Sequence, residues 1–174
     1  MQITTRGSTR KVQKLAKDMV RFCAEKLMSK RLADSLYIRV EFIDKLDENN
    51  EFDGDCCYED EDNRPKEFVI RVNNTLKLSK KLRTICHEMV HVKQYASGEM
   101  RYMWRPARNT KFQGTLYPDE IEYWDSPWEI EAFGREPGLY TRWIDTRGYA
   151  KNIIFDTRHI DDDISFEELE YLSN

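Results

Sequence analysis

An α+β fold is predicted by three features of this 174-residue chain. Helical periodicity runs through residues 9–32 and again through residues 82–98, and a further helix start stands at Ser126-Pro127. Short alternating runs near Leu36, Gly54 and Phe68 lie between the first two. Together they predict a small, twisted, mostly antiparallel sheet packed on an N-terminal helix and on the helix of residues 82–98, with another helix carrying Glu129.

Taking the elements in order, Ser8 or Thr9 can cap a first helix reaching to about Leu32, with Val12, Leu15, Ala16, Met19, Phe22, Cys23 and Leu27 on its apolar side. Its outer face is basic and reads as a solvated surface. Residues 36–43, LYIRVEFI, alternate and are rich in β-branched and aromatic types, which predicts a strand, and residues 44–50 then turn. A second strand is expected within residues 51–58, around Gly54, followed by the turn EDEDNRP. That acidic turn lacks the ligand order of a calcium loop, so a surface hairpin is the better reading. Residues 68–72, FVIRV, form the next strand; Asn73-Asn74 ends it, and Ser79 is expected to cap the following helix.

Beyond Gly98, residues 99–117 are aromatic and basic and are broken by Pro106 and Gly114. Such a stretch can bind single-stranded nucleic acid, but strands forming a substrate wall are preferred here. Pro137 is expected to break the Glu129 helix, and the acidic tail at about 160–174 reads as a surface helix or a frayed end. With no repeat or linker, residues 1–174 are expected to be one domain.

Charged residues make up 34 % of the chain and the net charge is −4. With a mean hydropathy of −0.78, this describes a very soluble protein and does not favour nucleic acid as a partner. The four cysteines include no Cys-x-x-Cys pair, which suits a reducing cytoplasm and leaves a zinc ribbon without ligands. No apolar run approaches the roughly 20 residues that cross a bilayer, and MQITTRGSTRK has no apolar leader core, so the expected location is the cytoplasm.

Chemistry concentrates in His87-Glu88-x-x-His91. On a helix this spacing projects both imidazoles from one face, about one turn apart, where they can hold a zinc ion with Glu88 beside it as a base. At about 100° per residue, Leu82, Ile85, Met89, Val92 and Ala96 form an apolar stripe roughly opposite the histidines. The plain alternative is a pair of exposed helical histidines with an accidental glutamate. The uncharged neighbours Ile85, Cys86, Met89, Val90 and Val92 favour a buried metal helix instead, with Lys93 carrying its charge outward on a long stem.

Two histidines do not make a catalytic zinc site, and a third protein ligand must leave one position open. His159 is the only other histidine, and the alternative is a carboxylate on a second helix. Glu129 projects from the first turn after Ser126 and Pro127, although Ser126-x-x-Glu129 is also a capping box. The ligand role is preferred because two histidines and a glutamate are a common catalytic set. Glu131, Asp119, Glu120, Glu122 and Asp125 are candidates to accept an imidazole N–H.

HEMVHVKQYASGE followed by PWEIEAF resembles the small SprT-like and gluzincin-type zinc metallopeptidases, particularly compact phage and bacterial versions, over roughly residues 54–138. The resemblance implies a zincin-like fold, zinc held by His87, His91 and Glu129, Glu88 as catalytic base, and peptide or protein substrates in the cytoplasm, that of the host for a phage protein. A small residue follows the ligand glutamate by three in such enzymes, and Ala132 matches. Many place an aspartate next, where this chain has Phe133. The expected mechanism is attack by a zinc-activated water, with Glu88 moving its proton to the leaving amine and one of Tyr117, Tyr123, Tyr140 or His159 aiding the carbonyl oxygen. If the strand near Phe68 were the sheet edge beside the zinc, it could receive an extended peptide. The rival expectation is a non-catalytic, zinc-stabilised protein- or nucleic-acid-binding module; such structural sites are usually closed by four protein ligands.

Overall fold

Thr9 accepts a hydrogen bond from the Val12 amide at 3.3 Å and opens α1 (Arg10–Leu27), whose apolar side is buried as its periodicity predicts. The computed structural model describes residues 1–46, 52–60, 62–103 and 109–147, so His159, the acidic tail and part of the turn at 44–50 lie outside the described residues. The first helix stops short of Leu32. Ser29 accepts from the Leu32 amide and starts a separate short helix, α2 (Lys30–Asp34).

The main sheet has four strands: β1 (Gln2–Arg6), β2 (Tyr37–Ile43), β3 (Gly54–Tyr58) and β4 (Glu67–Asn73), ordered β1-β2-β4-β3. β1 runs parallel to β2 and β2 parallel to β4, and only the β3–β4 pair is antiparallel. The expectation of a mostly antiparallel sheet therefore fails for this sheet. Its cause is α1, which carries the chain back across the sheet so that β2 enters beside β1 in the same direction. β4 is also an inner strand, and the edge beside α3, expected near Phe68, is β3.

Register explains the core. Ile38 pairs with Phe68, Val40 with Ile70 and Phe42 with Val72, so the inward residues of β2 and β4 lie side by side, all of them buried. Each such side chain contributes on the order of 1.5–3 kcal/mol on burial. The alternate residues form a charged open face on which Arg39 reaches Glu41 at 2.7 Å and Glu59 at 2.5 Å, and Arg71 pairs with Asp55.

α3 (Leu78–Ser97) starts one residue before the expected cap Ser79, with Lys77 in the cap position, and ends where Gly98 adopts a left-handed φ of 78°. It packs against α1, β3, β4 and α4 (Pro127–Thr146). α4 runs through Pro137 without the expected break. Proline removes the amide that would bond the Phe133 carbonyl, yet Glu136, Leu139, Trp143 and Ile144 stay buried and hold the later turns in place. Trp143, wholly buried, donates from Nε1 to Asp18 of α1 at 2.9 Å.

Residues after Gly98 form a second, wholly antiparallel sheet of β5 (Met100–Met103), β6 (Asn109–Phe112) and β7 (Thr115–Pro118). Gln113 and Gly114, with φ of 47° and 90°, make the two-residue turn between β6 and β7. No helix among the described residues is long and apolar enough to cross a membrane.

Candidate metal centre

α3 presents His87 and His91 one turn apart, and α4 brings Glu129 to face them. His87 Nε2 lies 3.2 Å from His91 Nε2. Glu129 completes a triangle, with Oε2 at 3.3 Å from His87 Nε2 and Oε1 at 3.4 Å from His91 Nε2. Ligand atoms held at zinc–nitrogen and zinc–oxygen distances in tetrahedral array are roughly 3.3–3.4 Å apart, close to each of these separations, and one donor atom from each residue lies within 4.8 Å of the others. Among the described residues, these three side chains are the one such group arranged to hold a metal ion. Glu129 Oε2 is buried without a hydrogen-bond partner, as expected of an atom reserved for a ligand.

Burial rules out the plain alternative for the motif. His87, His91 and Glu129 are 8 %, 7 % and 8 % exposed, and Glu88 only 5 %. The apolar stripe of α3 faces the sheet and α1, while α4 covers the side that carries the histidines.

The capping box at the start of α4 does not form. Ser126 occupies the cap position, but its hydroxyl donates to the Glu122 carbonyl at 3.1 Å, and Glu129 turns toward the histidines. Trp128 anchors this first turn, its ring 6.1 Å from Phe112 of β6 and 5.9 Å from Tyr117 of β7. The second sheet thus sets the height at which Glu129 enters.

His91 is held from behind by residues that the sequence did not single out, while His87 Nδ1 is buried without a hydrogen-bond partner. His91 Nδ1 is 2.8 Å from Oε1 of Gln94, whose Nε2 donates at 3.0 Å to both the Trp128 carbonyl and Glu131. Glu131, one of the candidates to accept an imidazole N–H, is therefore one link away from His91, and its other partners are Lys93 at 3.1 Å and Arg135 at 2.8 Å. His87 Nδ1 faces Glu136 at 3.6 Å, and Arg83 fixes Glu136 at 2.8 Å. Asp119, Glu120, Glu122 and Asp125 are exposed, and no hydrogen bond or ion pair joins any of them to an imidazole. Gln94 stands one turn after His91 and Glu136 two turns after Glu129, so helical spacing was the available signal for both. Phe133 sets its ring against His87, centroids 4.5 Å apart.

Charge follows geometry. Burial opposes ionisation of Glu129, but the closeness of His87 and His91 lowers its carboxyl to about 2. Burial likewise opposes the charged form of His87, while Glu129 and Glu136 raise it to about 9. Enclosure pushes Glu88 up to about 7, against the pull of His91 and His87. A Cβ built on Gly54 would come 3.5 Å from Glu88 Oε1, so the backbone of β3 passes directly beside this carboxylate.

Of the tyrosines expected near the site, Tyr123 lies close enough to Glu129 to help lower its carboxyl. Tyr117 packs on Trp128 and Tyr140 stacks on Trp143, centroids 6.5 Å apart.

Comparison with protein-family models, with curated proteins and with solved structures returns no match for this chain.

Proposed function

We propose that this chain is a zinc-dependent metallopeptidase with a zincin-like arrangement of sheet and helices. The observation that carries the proposal is the triangle of His87, His91 and Glu129 donor atoms with the enclosed carboxylate of Glu88 next to His87 in the chain. Three protein ligands leave one coordination position for solvent and substrate, whereas a purely structural zinc is commonly closed by four. A set of three among the described residues favours the hydrolase over the non-catalytic binding module.

When bound, zinc supplies Lewis-acid polarisation of the scissile carbonyl and acidification of a water molecule. Gln94 keeps Nε2 of His91 turned toward Glu129, and Arg83 keeps Glu136 behind His87. Glu88 accepts the proton of the attacking water and returns it to the leaving amine. Tyr123 beside Glu129 favours the charged form of that carboxylate. β3 is the sheet edge beside Glu88, and its outer main-chain groups receive an extended peptide.

The test is metal content and cleavage of a broad peptide library by wild type, Glu129→Ala and Glu88→Gln. Glu129→Ala is expected to lose metal. Glu88→Gln is expected to keep it while cleavage falls about 10²–10⁴-fold. Wild-type cleavage by Glu88→Gln would refute the proposal.

A further inference from the structure

Two adjoining cavities, of about 530 and 840 Å³, share Asp62, Asn63 and Arg101 and so form one cleft. Among the described residues it is lined by five cations, Arg31, Arg64, Lys66, Arg101 and Lys111, against the single acid Asp62, in a chain whose net charge is −4. Like charges are pressed together here. Arg101 of β5 stands directly opposite Lys111 of β6, a pairing that weakens an antiparallel ladder. From the other side, Arg64 Nε and Arg101 Nη2 both come within 3.4 Å of the point where a Cβ on Gly98 would sit.

Arg101 Nε is shut away from solvent with no hydrogen-bond partner. Asp62 accepts from the backbone amide of Arg64 at 3.2 Å, and Lys66 donates to the Ala96 carbonyl at 3.1 Å. Arg64 and Arg101, whose guanidinium groups converge beside Gly98, are a closely set pair of cations in this lining.

The cleft begins where β3 ends. Tyr58, the last residue of that strand, lines it together with Tyr95 and Tyr102, ring centroids 5.1 Å and 5.9 Å apart along the series. The first residue, Gly54, lies against Glu88. At a rise of roughly 3.3 Å per residue, Tyr58 stands roughly 13 Å further along the same edge.

We infer that this cleft is a subsite for an acidic segment of a peptide, whose carboxylate is gripped by Arg64 and Arg101 while its main chain extends β3. The position of the cleaved bond in this scheme rests on the metallopeptidase proposal; the binding itself does not. A peptide lying antiparallel to β3 carries its acidic residue about four residues N-terminal to the bond held at Glu88. An acidic peptide suits the whole surface because the strand edge leading into the cleft offers main-chain pairing, and arginine forks match carboxylates.

Binding is measured by fluorescence anisotropy on the full chain carrying Glu88→Gln. The probes are a labelled peptide containing paired glutamates, its glutamine counterpart and a labelled oligothymidylate. The glutamate peptide is expected to bind about tenfold more tightly than the glutamine one. Arg64→Ala and Arg101→Ala should each abolish the difference, and Arg101→Lys should retain part of it, in variants whose melting curves match the parent.

Equal binding of the two peptides, or preference for the oligothymidylate, overturns the inference. In wild type, a peptide library should be cut preferentially with Asp or Glu about four residues before the bond, and cutting without acidic preference also overturns it. Binding of the glutamate peptide through Arg64 and Arg101 with no peptide cut would sustain the subsite and defeat the hydrolase.

Discussion

Gln94 Oε1 lies 2.8 Å from His91 Nδ1, and this contact decides which nitrogen of the imidazole faces Glu129. The amide on the other side of Gln94 reaches the Trp128 carbonyl and Glu131, so one fully buried side chain both orients a metal-site histidine and ties α3 to α4. Replacing it with leucine removes the acceptor and leaves polar groups around it unpaired. Gln94→Leu is expected to lower zinc affinity about 10–100-fold, measured by chelator competition. It should also destabilise the fold by about 1–3 kcal/mol in urea titrations.

Zinc should stabilise the native chain because the triangle exists only when α3 and α4 are packed together. At free zinc about a thousandfold above its dissociation constant, the gain is about 4 kcal/mol. A melting scan should show an upward shift with zinc for wild type and little for Glu129→Ala. Equal shifts for both would place the bound ion elsewhere.

Gly54 is needed for closeness. A Cβ there would meet Thr84 Cγ2 at 2.5 Å and the Arg71 carbonyl oxygen at 2.8 Å, so Gly54→Ala must push β3 away from α3 or from β4. The expected cost is about 1–3 kcal/mol. Peptide cleavage should fall while metal content stays near wild type, because the strand edge moves and the metal triangle does not.

Glu41, 7 % exposed, has its carboxyl held below the ordinary value of 4.5 by the hydrogen bond from Arg6, against the opposing effect of burial, with Arg39 adding to it. Since the folded value is the lower one, this stabilisation is present above 4.5 and is lost as pH falls through the depressed folded value. Glu41→Gln should therefore be less stable than wild type near neutrality, and the gap should narrow in acid. Urea midpoints across the acid range measure it.

The helices and the metal motif were legible in the sequence because each rests on local signals. Thr9 and Ser126-Pro127 mark helix starts, and the spacing of His87 and His91 places them on one face. Strand direction was not legible. Whether β2 enters parallel or antiparallel to its neighbour depends on how α1 crosses, and β1, with Gln2, Thr4 and Arg6 in a half-exposed strand, carries little apolar signal. Gln94 and Glu136 were not legible either, since they stand apart from the acids next to Glu129 in the chain, one on the turn of α3 after His91 and the other two turns along α4.

Trp143 and Glu129 are the two ends of a lever. Fourteen residues of helix separate them, a length of about 21 Å at 1.5 Å per residue. Pinned at the Asp18 end, a tilt of only about 3° would swing the carboxylate by about 1 Å, enough to spoil its grip on both imidazoles. A substitution at Asp18, remote from any chemistry, should therefore register first as a weaker hold on the ion, before the chain as a whole loosens.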